Sequence, residues 1–180
     1  MKVKASPRSS KVVVEMEARG ADLPPIPVPE VALKKILVPV DFSPLSRKAL
    51  DYGVSFARQF HAEISLLHVV EPMPLPPEMP LPASGASYQM DLQQFAEQQL
   101  QEWQNEVAGR AAIKTAVRYG NPFREIVQAA NENNIDLIII GTHGRTGLPH
   151  LLVGGTAERI VRLAPCPVMV VREREKDFLA

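Results

Sequence analysis

The sequence predicts one α/β domain built on a single doubly wound, five-stranded parallel sheet with helices on both faces. Three observations carry that expectation. Short apolar runs alternate with amphipathic stretches from residue 34 onward, so each strand is separated from the next by a helix. Strand–helix–strand steps cross over right-handed, which makes the paired strands parallel. Ile36 to Val40 is a continuous apolar run, the pattern of a strand covered on both faces, whereas Ile113 to Arg118 alternates.

The elements follow in order. Ile36 to Val40 is the first strand; Ser43 then offers an N-cap oxygen and Pro44 suits a first helical position. Leu45, Ala49, Tyr52, Phe56 and Phe60 recur at spacings of three and four, one face of a helix. Ile64 to Val70 is the second strand. A second helix is marked by Tyr88, Leu92, Phe95, Ala96, Leu100, Trp103 and Val107, and Ile113 to Arg118 is a third strand. Asn121 and Pro122 repeat the cap and proline start, with Phe123, Ile126, Val127 and Ala130 as the stripe of a third helix. Asp136 to Ile140 is the most hydrophobic strand and is expected at the centre. A glycine-rich loop, a helix from about Thr156 to Ala164 and a last strand, Val168 to Val171, complete the set.

Eleven of the 17 prolines fall in two segments, at positions 7 and 24–29 and at 72–82. Proline fixes φ and lacks a donor, so these runs interrupt regular structure. Residues 1–33 are therefore expected to be an N-terminal extension with a short edge strand at 11–15. Residues 71–87 read as a long proline-rich loop within the 34–172 domain, and 173–180 as a C-terminal tail.

Composition bounds the function. Lys plus Arg equals Asp plus Glu at 20 each, so no overall field favours nucleic acid or an acidic membrane. Cys166 is the only cysteine, which excludes an intramolecular disulfide and a multi-cysteine metal site. The N-terminal region has no apolar run long enough for a secretory signal, and no stretch approaches a membrane span. The expectation is a soluble, cytoplasmic protein.

Five of the ten glycines lie within residues 141–155, between the strongest strand and a helix. Glycines permit positive φ and close approach of a ligand. Inward-pointing amides, together with a helix N-terminus, make a nest for anions, and Arg145 would add a charge-assisted contact. The same glycines would also serve plain tight turns, but their context is the one a phosphate site requires. No Gly-Lys-Ser/Thr ends the loop, which excludes a Walker motif. The glycine spacing also differs from the dinucleotide fingerprint.

At four places the chain resembles the universal stress protein family: 35–43 (KILVPVDFS), 66–69 (LLHV), 136–145 (DLIIIGTHGR) and 164–168 (APCPV). The resemblance spans about residues 34–172. It implies a Rossmann-like architecture of the adenine nucleotide alpha hydrolase type and, for the ATP-binding branch, a Gly-x2-Gly-x9-Gly-Ser/Thr motif. Gly141, Gly144 and Gly154 match that spacing; Gly155 stands where the family has a hydroxyl, and Thr156 comes one later. A lost hydrogen bond to a charged group is worth about 1.5–3 kcal/mol, which would weaken ATP relative to ADP or AMP.

By the same resemblance Asp41 would accept hydrogen bonds from ribose hydroxyls, unless it serves only as a helix cap beside Ser43. Pro39, Val40, Val69 and Ile140 would wall the adenine, and Gly141, Gly144, Arg145, Gly154, Gly155 and Thr156 would hold phosphates. Mg²⁺ or Mn²⁺ would arrive with the triphosphate, and a homodimer would form through strand Val168 to Val171. The implied function is an ATP-binding regulatory homodimer with at most slow hydrolysis, not an enzyme in its own right. A nucleotide-free dimeric scaffold is the alternative, and an ATP-dependent transferase or hydrolase is a third reading.

Other reactive residues carry no site. His68 reads as a packed, hydrogen-bonded strand residue, His61 as a helix-end cation, and His143 and His150 as solvent-facing loop residues. No histidine pair has metal-ligand spacing. Cys166 between two prolines reads as a buried small residue.

Overall fold

The computed structural model describes residues 2–4, 13–15, 30–72, 85–142, 155–174 and 179. The chain divides into two units, Met1–Val31 and Ala32–Ala180. In the first, β1 (Lys2–Lys4) and β2 (Val13–Glu15) pair antiparallel, with Lys2 opposite Glu15.

The second unit runs β3 (Lys35–Val40), α1 (Pro44–Phe60), β4 (Glu63–Val70), α2 (Gly85–Glu106), β5 (Ala112–Tyr119), α3 (Pro122–Glu132), β6 (Leu137–Gly141), α4 (Gly155–Leu163) and β7 (Val168–Val171). The five strands form one parallel sheet in the order β5-β4-β3-β6-β7. The helix starts have their anticipated chemistry. Ser43 accepts from the Ser46 amide ahead of Pro44, and Asn121 accepts from the Arg124 amide ahead of Pro122. Each such cap contributes about 1 kcal/mol.

Side chains of a strand point alternately to opposite faces, and two cores result. Ile36, Val38, Val40, Ile64 and Leu66 face one way and pack with Ala49, Leu50 and Tyr52 of α1 and Leu100 of α2. Leu37, Leu67, Ile138 and Ile140 face the other way, against Ile126, Ala129 and Ala130 of α3 and Ala157 and Ile160 of α4. Burying each large aliphatic side chain stabilises the fold by about 1.5–3 kcal/mol.

The sheet corrects one expectation. The central strand is β3, while β6 lies between it and the edge strand β7. Burial on both faces makes β6 apolar, but any interior strand has that burial, so hydrophobicity alone does not mark the middle. In the C-terminal tail, Leu179 packs against the first core. Most of the proline-rich segment, residues 73–84, lies outside the described residues.

The decisive feature is where strand order reverses. From β3 the chain steps outward to β4 and β5, then returns to the other side of β3 for β6 and β7. At the start of the strands Asp136 Oδ2 accepts from the Lys34 and Lys35 amides, both at 2.8 Å, and the Asp136 amide donates to the Lys35 carbonyl at 2.9 Å. The β3–β6 ladder then ends at the Leu37–Ile138 pair, three residues short of Val40 and of Gly141. The outer ladders continue, to Val40 opposite His68 and to Gly141 opposite Val171. The sheet is zipped on both sides of a gap that opens toward the C-terminal ends of β3 and β6.

Close packing of α1 on β3 depends on Gly53, where an added Cβ would stand 2.9 Å from Val38 Cγ2. In a free helix Gly→Ala gains about 1 kcal/mol. Here the clash with a fully buried neighbour outweighs that gain, so Gly53→Ala should lower the urea midpoint of unfolding. A raised midpoint would show that the contact relaxes without cost.

Candidate functional site

Ligands of doubly wound sheets bind outside the carboxyl ends of the strands, where the strand order switches. At that place lies a cleft of about 450 Å³, bordered by Pro39, Val40 and Asp41 from the end of β3, by His68 and Val69 of β4, and by Ile140, Gly141 and Thr142 from the end of β6. Ser46 of α1, Leu67 and Val70 of β4, Glu71 just beyond it, Leu92 and Phe95 of α2, Pro122 and Ile126 of α3, and Gly155, Thr156 and Ala157 of α4 complete the lining.

The turn from β3 into α1 positions Asp41. Its Oδ1 accepts from the Ser43 amide at 3.1 Å and from Ser43 Oγ at 2.6 Å. Ser43 Oγ accepts in turn from the Ser46 amide at 3.2 Å, and buried Ser46 Oγ donates to the Ser43 carbonyl at 3.0 Å. Asp41 therefore supports the cap and also lines the cleft. An ionised carboxylate only accepts hydrogen bonds, the chemistry that a ligand's hydroxyl donors need. Between Asp41 and Ser43, Phe42 adopts φ +64°, a conformation that bulky residues rarely hold.

The β6 end is shaped by contact with α1. A Cβ on Gly141 would meet Leu45 Cγ at 3.0 Å, so this glycine allows the strand tip to approach the helix. Its backbone is not in the left-handed region, so the positive φ that the loop's glycines permit is not used at this position. Thr142, buried beyond the strand, donates its amide to the Val171 carbonyl at 2.9 Å. Also lining the cleft, the first turn of α4 carries backbone N–H groups that have no partner within the helix, together with the positive end of the helix dipole. Among the described residues nothing lies within 4 Å of a Cβ added to exposed Gly155.

The structure thus brings Pro39, Val40, Asp41, Val69, Ile140, Gly141, Gly155 and Thr156 around one cleft. Gly144, Arg145 and Gly154 lie outside the described residues, as do His143 and His150. Sequence reasoning did not place Ser46, Thr142, Leu92, Phe95, Pro122 or Ile126 in the site. Pro122 and Ile126 carried only a helix-start and core signal, and nothing short of the strand order reveals that α3 begins beside the β3–β6 gap. Phe95 was expected in the core stripe of its helix, yet it is 51% exposed at the cleft while its neighbours Ala96 and Leu100 are buried.

His68 is packed and hydrogen-bonded: its Nδ1 lies 2.8 Å from the Val40 carbonyl oxygen, which requires the proton on Nδ1. Cys166 is half-buried, and burial, reinforced by the Asp136 charge, pushes its thiol above the usual range. That favours the thiol over the reactive thiolate. Among the described residues no three His, Cys, Asp or Glu side chains come together to hold a metal, and no helix is long and apolar enough to cross a membrane.

The family model for the universal stress protein family matches residues 32–172. The chain belongs to that family. Universal stress protein MJ0531 of Methanocaldococcus jannaschii is 36% identical over 149 residues, covering 80% of this chain and 85% of the relative. Among solved structures, universal stress protein UspA from Lactobacillus plantarum superposes with a TM-score of 0.72 at 30% identity, over 79% of this chain and all of that one. MJ0577, also of M. jannaschii, gives 0.71 at 29% identity, over 81% of this chain and all of that one. Two more distant structures share the fold at 20% and 19% identity, with TM-scores of 0.57 and 0.58. One is a universal stress protein in complex with cAMP, the other an Arabidopsis thaliana family protein with AMP bound.

Proposed function

We propose that this universal stress protein binds ATP in the cleft between β3 and β6 and acts as a regulatory, cytoplasmic homodimer rather than as an enzyme. The observation that carries the reading is that one cleft combines two chemistries. Pro39, Val40, Val69 and Ile140 offer apolar walls to a base. In the same lining, the first turn of α4 offers amides and a positive dipole end to phosphates. Asp41, at the strand tip, is an acceptor of the kind that ribose hydroxyls need. The volume of about 450 Å³ falls within the roughly 300–1,000 Å³ of small-molecule sites. Adenine nucleotides in two proteins of the same fold agree with this assignment.

A divalent ion would enter on the triphosphate, held by phosphate oxygens rather than by a protein cage, as magnesium often is. It would neutralise charge on the phosphates. The chain's own part is to bind and orient. Gly155 in place of a hydroxyl residue favours one second reading, a scaffold that works without nucleotide.

Among the described residues the edge strand β7 pairs only with β6, and Val161 and Leu163 of the preceding helix are 50% and 59% exposed. Symmetric pairing through β7 would hide an open edge and these side chains.

Calorimetric titration with ATP should show saturable binding, and absence of heat at millimolar ATP would leave the scaffold reading. Because a Cβ at Gly155 meets no described residue within 4 Å, Gly155→Ser should fold normally and bind ATP about tenfold more tightly while leaving AMP unchanged. An equal change for both ligands would contradict a terminal-phosphate contact. Sedimentation should give a dimer, and Val161→Glu with Leu163→Glu a monomer; a wild-type monomer would refute the β7 interface.

A further inference from the structure

Phe95 differs from the core-facing residues that follow it in α2. Ala96 and Leu100 are buried in the core, whereas the Phe95 ring is half-exposed and, with Leu92, lines the cleft. Its contact on the protein side is Phe42, met edge-on at 6.4 Å between ring centroids. Phe42 is itself wedged: it lies on His68 at 4.5 Å and meets Trp103 edge-on at 5.6 Å. Arg47 covers the Trp103 ring at 5.4 Å and pairs with Glu106 at the end of α2.

The backbone of Phe42 is held at φ +64°, a strained geometry that persists only where its surroundings impose it. Here the Asp41–Ser43–Ser46 network on one side and the three aromatic partners on the other impose it. The strained turn that aims Asp41 therefore also sets a ring behind Phe95, with the cleft on the far side.

We propose that Phe95 is the platform on which the planar base of the bound nucleotide packs, with Phe42 as the residue that positions it. This rests on the nucleotide reading and extends it to α2. The face of an aromatic ring carries negative charge density, so it suits a base and not a phosphate, which the α4 amides attract. Stacking tolerates any base, because every base has a π-face. Phe95 thus supplies affinity without choosing between adenine and guanine.

The test is calorimetry on the full chain with ATP, GTP, AMP and inorganic tripolyphosphate, a probe that lacks a base. Phe95→Ala should weaken ATP and AMP by the same factor, roughly tenfold or more, and weaken any GTP binding equally. Tripolyphosphate binding should not change. Phe95→Leu keeps apolar bulk but loses the ring and should stay weak, while Phe95→Tyr should restore binding to within about twofold. Trp103, the only tryptophan, should report wild-type binding by a change in emission that Phe95→Ala diminishes. ATP binding by Phe95→Ala at wild-type strength, or an equal loss of ATP and tripolyphosphate, would overturn the platform and leave the nucleotide reading standing. Failure of the wild type to bind ATP would remove both.

Discussion

Asp136 holds β3 to β6 at the base of the sheet, and the two strands part three residues before their tips. Everything proposed for the chain depends on that parting. A parallel sheet places all its strand tips on one side, and a continuous ladder there would present paired backbone with no room for a ligand. The reversal of strand order gives β3 and β6 different helices to follow, α1 on one face and α4 on the other. No crossover bridges the gap between them, and the first turn of α4 comes to rest beside it.

The cleft is stabilised at a local cost. The β3–α1 turn carries a phenylalanine in the left-handed region, which costs on the order of 1–3 kcal/mol. That cost is offset by the serine and aspartate hydrogen bonds and by aromatic packing between α1, β4 and α2. The outcome is a rigid strand tip with Asp41 at the cleft and a ring cluster behind it. Rigidity of this kind lowers the ordering cost when a ligand binds.

Much of the fold was legible because local chemistry and the pattern of burial agree. Ser43–Pro44 and Asn121–Pro122 mark helix starts through the same physics that caps them. Strand starts were read a residue late at Lys35, Glu63 and Ala112, whose side chains carry no core signal. Asp136 was read into a strand although its carboxylate instead ties the strand starts together, a contact made across more than a hundred residues of sequence. Strand order and the place of Phe95 were not legible for the same reason. Both are set by which elements meet in space, and an aromatic residue at helical spacing looks the same whether it faces core or cleft. At Gly141 the expectation was close approach of a ligand, whereas the near neighbour is Leu45 of α1, a contact with no signal in the local sequence.

Backbone amide mapping by NMR during an ATP titration tests the central claim most directly, because it reports which end of the sheet the ligand meets. The account predicts saturable shifts at Asp41, Thr142, Gly155 and Thr156, on both sides of the parted strands. Amides unmoved there, with shifts gathered instead at the opposite end of the sheet around Ala62 and Ala112, would contradict it.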